Sequence, residues 1–338
     1  MDKDLESLIG RLKGYTEGCE NKILDFQGLK FEAVEGEMRL YNEFHGYYFK
    51  RDPKNPKDPK IVHAMKQFCT MMKVPHPFFI KNPDHMKNQI VSCWLPTLKP
   101  EQAVILAKLR GTPDKNKDVI RAILPVESAN ISNAEAMEMV AEAVGDSFKV
   151  EFIIGGDRDD LILHVRFLSS DVFEVNGEQC TTGFSVITSE LGAAPITVET
   201  FLYRVPSKAA LLATYSGESF FESNYQGIQP ADLKKLFPDL IARLKEQLWH
   251  LKTQIHQNME AVTKKDDIKE LLRGLRLRKG LNDKFHTLLF QELEANPVTS
   301  RWEFVNRMAI LAKDFDVTFR LKIERAAGEL AGLLFDKA

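Results

Sequence analysis

Long apolar runs are missing from this chain. No stretch approaches the roughly 20 residues that a membrane span needs. The opening residues, MDKDLESLIGRLKG, are acidic and amphipathic, where a secretory signal would be basic and then apolar. A cytoplasmic protein with no membrane partner is therefore expected. Cysteine is scarce too: Cys19, Cys69, Cys93 and Cys180 lie far apart and form no CxxC pair, which excludes a disulfide framework and predicts reduced, mostly buried thiols. His63, Cys69, His76 and His85 match no zinc spacing, so no metal is expected. An excess of one charge is absent, with 46 Lys and Arg against 48 Asp and Glu. That balance gives no global attraction to nucleic acid or to a membrane.

Catalytic signatures are equally lacking. The chain has no GxSxG, no HExxH, no GxxxxGK[ST] and no GxGxxG between a strand and a helix. Asp157, Asp159 and Asp160 crowd around Arg158, but in a turn, where such residues serve chain reversal and solubility. No catalytic residue and no cofactor is expected, although an enzyme built from dispersed residues stays open.

What is present is a globular composition, 44% hydrophobic and 28% charged, in a chain of 338 residues. Residues 1–49 predict a short helix and then aromatic-rich extended pieces, LYNEF at 40–44 and YYF at 47–49. The stretch KRDPKNPKDPK at 50–60 places three prolines among basic residues, which forbids a helix or a central strand and predicts an exposed loop. Val62, Met65, Phe68, Cys69 and Met72 share one face of a helix over 61–73, stopped by VPHPFF. Helices are predicted over 83–92 and 100–109, and a strand over VIRAIL at 119–124. Asn130 and Ser132 offer caps for a helix that ends at Gly145.

Five β-rich runs follow, at 148–154, 161–168, 182–188, 196–205 and 210–215. Gly155-Gly156-Asp157 and Asn176-Gly177 are among the turns between them. Their connections are too short for parallel crossovers, so an antiparallel meander is expected. In TFLYR, Phe201 and Tyr203 alternate with Leu202 as in a half-buried strand. Beyond residue 232 the periodicity is helical: Ile241, Leu244, Leu248, Leu251 and Ile255 form one stripe of a helix starting near Pro238. Ser300-Arg301-Trp302-Glu303 is a capping box, and a last helix is predicted over 317–334. The expected fold is α+β, an antiparallel β-meander sheet packed by helices, with a helical C-terminal region. The expected divisions are an N-terminal segment at 1–60, a mixed core at 61–230 and a helical region at 231–338.

Four stretches resemble a family found chiefly in phages, plasmids and prophages, the domain-of-unknown-function family numbered 932. They are MMKVPHPFF; VIRAIL with the Asn133 helix start; ITSELGAAPITVETFLYR, which is similar to the family's "NSEvG…l…yR"; and SRWEFVNR, which is similar to its "tlWdvyNa". Thr188, Pro125-Val126 and Pro206-Ser207-Lys208 depart from the family pattern. The resemblance spans roughly 60–335. It implies a mobile-element setting concerned with DNA replication, recombination or defence, and no particular activity.

Charge is unevenly placed. Residues 127–160 hold nine acids against Lys149 and Arg158, and residues 264–284 hold eight bases against four acids. Three basic groups stand out: Lys54, Lys57 and Lys60 in the proline loop; Arg110, Lys115, Lys117 and Arg121; and Arg273, Arg276, Arg278 and Lys279. Each reads either as a solvated face or as a phosphate contact. Arg204 joins them as the one residue beside the SELG turn expected to act, the turn itself being structural. Tyr47, Tyr48 and Phe49 beside the first loop suit either base stacking or core packing. The expectation is a non-catalytic DNA-binding accessory protein, favouring single strands and forming a homo-oligomer. The alternative is a phage-encoded structural or protein-interaction component that self-assembles or binds host proteins.

Overall fold

A computed structural model describes residues 2–50, 57–108, 117–126, 131–157, 160–175, 177–215, 221–223, 232, 235–236, 238–246, 248–249, 275, 281–298, 300–332 and 334–335. Among the described residues the fold is α+β and contains two sheets, each with its own apolar core.

The first sheet holds β1 (Cys19–Asp25), β2 (Lys30–Val34), β3 (Glu37–Tyr41), β4 (Gly46–Phe49), β5 (Glu101–Lys108) and β6 (Lys117–Leu124), in the order β1-β5-β6-β4-β3-β2. Every pairing is antiparallel except β4 with β6. The parallel pair needs a crossover, which α2 (Pro59–Met71), α3 (His76–Lys81) and α4 (Asp84–Trp94) supply. Phe26, Phe49, Phe68, Met72, Phe79 and Val91 close this core. Asn88 of α4 receives the Ala33 amide at 2.7 Å and donates to the Ala33 carbonyl at 3.2 Å, so one sheet edge is occupied by a side chain.

Residues 101–108, expected as a helix, form a central strand. An apolar run such as QAVIL fits either period, and the vacancy between β1 and β6 decided it. A boundary at residue 60 would divide this sheet, because β1 to β4 pair with β5 and β6. The aromatic trio divides by strand alternation: Tyr47 and Phe49 are buried, and Tyr48 accepts a hydrogen bond from Arg39 at 2.9 Å.

The second sheet is the predicted meander, β7 (Phe148–Ile154), β8 (Leu163–Val175), β9 (Glu178–Thr188), β10 (Ile196–Arg204) and β11 (Ala209–Tyr215). Two short strands complete it: β12 (Phe221–Ser223) beside β10, and β13 (Leu334–Phe335) parallel to β11. One face presents Val165, Phe167, Phe184, Val186, Val198 and Leu202 to a core shared with α1 (Lys3–Thr16) and α5 (Asn133–Val144). Ser132 caps α5 in a reciprocal box with Glu135. Ile241, Leu244 and Leu248 of the predicted stripe lie in the same core, as does Leu240 beside them, and Leu251 and Ile255 lie outside the described residues. Residues of α6 (Asp283–Ala295), α7 (Arg301–Leu311) and α8 (Val317–Leu330) also enter it.

α8 packs directly on β11. A Cβ added at Gly328 would stand 1.7 Å from the Leu212 carbonyl oxygen, so only glycine permits the approach. All nine residues of β10 are buried, where alternation predicted half. Among the described residues no helix is long and apolar enough to cross a membrane.

Candidate functional site

Strand alternation sends His164 and Arg166 of β8 to the face opposite the main core, because Leu163, Val165 and Phe167 occupy the other. Across the sheet at one register level stand Phe152, Arg166, Ser185 and Glu199. A β-bulge at Glu151 lets that residue and Phe152 both serve this face. Tyr203, two residues beyond Phe201, donates to Glu151 at 2.8 Å.

α8 covers these side chains with charges of its own. Arg166 grips Glu324 through both terminal nitrogens, one at 3.1 Å, and neither residue is exposed at all. Arg320, one turn earlier, donates to the same carboxylate at 2.8 Å. Arg325 pairs with Glu199. The Arg166 guanidinium lies 4.9 Å from the Phe152 ring centre and 5.0 Å from that of Phe201, and Arg320 also lies 4.9 Å from Phe152. The His164 ring meets Phe152 edge-on at 5.2 Å.

Ionisation is perturbed throughout this layer. Burial, with Arg166 and Arg320 nearby, holds His164 well below the ordinary imidazole value, so it is neutral at pH 7. Burial raises Glu199 despite Arg325. Burial and the bond to Glu151 raise Tyr203. At the rim, Lys313 is lowered by burial and by the like charges of Arg320 and Lys208, against a pull from Glu151. Its ammonium donates to the Ser207 carbonyl. Such concentration of shifted groups marks a candidate site on physical grounds. Its chemistry is ionic: guanidiniums oriented by aromatic faces, a neutral imidazole and a serine.

The residues singled out from sequence are distributed otherwise. Lys54, Arg110, Lys115, Arg273, Arg276, Arg278 and Lys279 lie outside the described residues, as do the side chains of Lys60 and Lys117. Lys57 is exposed in a turn before α2. Arg121 and Arg204 are buried and ion-paired, which removes them from a solvent-facing phosphate surface. Arg204 forks onto Glu178 and lies 5.8 Å from the Trp302 ring centre. Arg121 donates to Glu190 at 3.0 Å and approaches Cys19 Sγ at 3.2 Å.

That second pair explains the SELG turn. Glu190 also accepts from the Asn133 amide, and its own amide donates to Asn133 Oδ1, both at 3.2 Å. The Leu191 carbonyl accepts from Gln67 Nε2 and lies on His63 Nε2, each at 2.9 Å. Gly192 has φ +69°, and a Cβ there would lie 2.5 Å from Leu124 Cδ2. The turn therefore joins the second sheet to α2 and β6 of the first. Motifs far apart in sequence, VIRAIL, the Asn133 helix start and SELG, meet here, while FLYR meets the start of α7 through Arg204 and Trp302.

Sequence reasoning missed His164, Arg166, Glu199 and Glu324. In LHVRF the alternation of polar and apolar residues reads as a strand wet on one face, and only α8 makes that face dry. The available signal was the Arg320–Glu324 spacing of one helical turn, which presents an acid to an arginine elsewhere. Among the described residues no group of three or more His, Cys, Asp and Glu is placed to hold a metal ion. Compared with known proteins, the chain matches no family model, no curated protein and no solved structure.

Proposed function

We propose that this protein binds nucleic acid without catalysing a reaction, contacting phosphates through exposed cations. The observation that carries this reading is the rim of the charged layer. There Lys208 and Lys313 lie exposed at the surface, and partial burial of the Lys313 ammonium, then the like charges of Arg320 and Lys208, lower its value against pulls from Glu151 and Glu324. Crowded cations cost stability in the free protein, and a phosphate oxygen relieves that cost. Lys57, exposed in the turn before α2, is a further cation in this reading. A phage or plasmid setting rests on the motif resemblance alone.

Fluorescence anisotropy with single- and double-stranded oligonucleotides at low and moderate salt tests the reading. Binding should weaken with salt, log K falling by about 0.7 per log unit of salt for each phosphate contacted on a single strand. The Lys208→Ala/Lys313→Ala double variant should bind more weakly and lose part of that slope. Folded wild-type protein that ignores both oligonucleotides at low salt would end the proposal.

A second reading, a self-assembling or partner-binding component, is favoured by exposed apolar side chains on the helical layer of the first sheet. Phe78 is 55% exposed and Trp94 41%. Light scattering that shows oligomers, together with no nucleic-acid affinity, would select it.

A further inference from the structure

The edges of the two sheets are guarded unequally. A strand edge offers unpaired amides and carbonyls to any extended segment, and proteins cover or interrupt such edges. Asn88 occupies the edge of β2 through its two bonds to Ala33, and Asp84 of the same helix accepts from the Gly36 amide at 3.1 Å. At β7, an edge of the second sheet, Asp2 accepts from the Val150 amide at 3.4 Å. β1 is the other edge of the first sheet and carries no such guard. Among the described residues, no group outside β5 hydrogen-bonds the backbone of Glu20 through Leu24. Glu20, Asn21, Lys22, Ile23 and Asp25 are exposed, Ile23 by 58%.

The side chains of β1 select what can pair with it. Alternation puts Glu20, Lys22 and Leu24 on one face and Cys19, Asn21 and Ile23 on the other. A two-fold axis normal to the sheet pairs two copies of β1 antiparallel and keeps each face continuous. Such an axis passes through one residue position, and that residue stands opposite its own copy. Within Cys19–Asp25, the centres that overlap five residues or more are Asn21, Lys22 and Ile23. Centring on Lys22 sets two ammonium groups against each other. Centring on Ile23 sets Lys22 opposite Leu24 and forms no ion pair. Centring on Asn21 sets Glu20 opposite Lys22 twice and Ile23 opposite Cys19 twice. Among the described residues neither charge is ion-paired within its own chain, and the Lys22 ammonium lies 5.9 Å from the Tyr47 ring centre. The strand is therefore complementary to itself in one register.

We propose that β1 is a docking edge for β1 of a second copy of this chain, paired antiparallel about a two-fold axis at Asn21, with Glu20 of each protomer on Lys22 of the other. The joint fuses two six-stranded sheets into one continuous sheet. Its overlap, residues 19–23 of each copy, is smaller than a standard interface, so the dimer is weak and concentration-dependent. This joint rests on the self-assembly reading and gives it a surface apart from Phe78 and Trp94.

Sedimentation velocity of the full chain over a concentration series tests it. Wild type should pass from monomer to dimer as concentration rises. Glu20→Lys and Lys22→Glu should each weaken dimerisation at least about tenfold, because each turns two attractive cross-strand pairs into repulsive ones. The Glu20→Lys/Lys22→Glu double variant should regain the dimer, and so should an equimolar mixture of the two single variants. Both residues are exposed, so every variant should keep the wild-type far-ultraviolet circular dichroism. Asn21→Cys should crosslink to itself across the axis under mild oxidation, identified by peptide mapping. Dimers that ignore the single exchanges, or that the double variant does not regain, would overturn the β1 pairing and leave self-assembly standing. So would an Ile23→Cys self-crosslink in place of the one at Asn21→Cys. A monomer at every concentration up to about 1 mM would overturn both.

Discussion

The polar residues buried with the first sheet, Lys87, Gln102, Asp118 and Arg121, each keep 6–9% exposure. In the second sheet His164, Arg166 and Glu324 have none, and they occupy the middle of a face. Both regions obey the rule that sheets bury their faces, yet only the second holds an ion pair with zero exposure, Arg166 with Glu324, in the middle of a face. A buried ion pair is weak evidence for stability, because desolvation offsets much of the attraction. The first sheet is therefore a scaffold closed by apolar packing. The second carries a layer whose cost makes sense through specificity.

The sharpest way to break that contrast is to remove one ion. Glu324→Ala strands Arg166 and Arg320 and should destabilise by about 3–5 kcal/mol in urea unfolding. The Arg166→Met/Glu324→Leu double variant should recover most of that loss, since an apolar pair of similar volume replaces both charges. Failure of the double variant to recover would mean that the layer is held by more than its ion pairs. Phe68→Ala in the first sheet should cost about as much, roughly 3–5 kcal/mol, through cavity formation. Its effect should not vary between pH 5 and pH 8.

Next in size is the joint. Arg121→Ala leaves Glu190 with only its Asn133 contacts and should cost about 1–3 kcal/mol. Because this contact ties the two sheets together, the variant should also split unfolding into two steps. Tryptophan fluorescence and far-ultraviolet circular dichroism would then cease to coincide. Coincident transitions would show that the sheets are coupled elsewhere.

The smallest expected effect concerns pH. An unfolded histidine titrates near about 6.5, and His164 in the folded chain titrates well below that. Below about pH 6.5 the unfolded chain therefore binds a proton that the folded chain does not. The stability linked to His164 is complete above that pH and falls as pH drops toward the folded value, by at most about 1.4 kcal/mol per pH unit. Glu199 acts oppositely: its raised value contributes stability at low pH that is lost as pH rises. His164→Leu should thus flatten the acid side of the stability profile, measured as urea midpoints between about pH 5 and pH 7. An unchanged profile would show that His164 does not carry the acid sensitivity.

Much of the fold was legible in the chain. The five meander strands, the Ser132 cap, the α2 stripe and the Ser300 helix start are local patterns of period, cap and turn, and they hold in the structure. Residues 101–108 were misread because apolar content without clear period leaves helix and strand equally open. Arg121 and Arg204 were read as surface cations because sequence shows a charge and not what lies above it. Their partners, Glu190 and Glu178, lie 69 and 26 residues away.

The sequence by itself determined where strands, turns and caps fall, because those depend on neighbours within a few residues. It also marked SELG as structural. Only the tertiary structure decided that SELG joins two sheets, that LHVRF is dry on both faces, and that Arg166 meets Glu324 across 158 residues. Burial and ion pairing depend on which distant segment covers a face, and no local pattern encodes that.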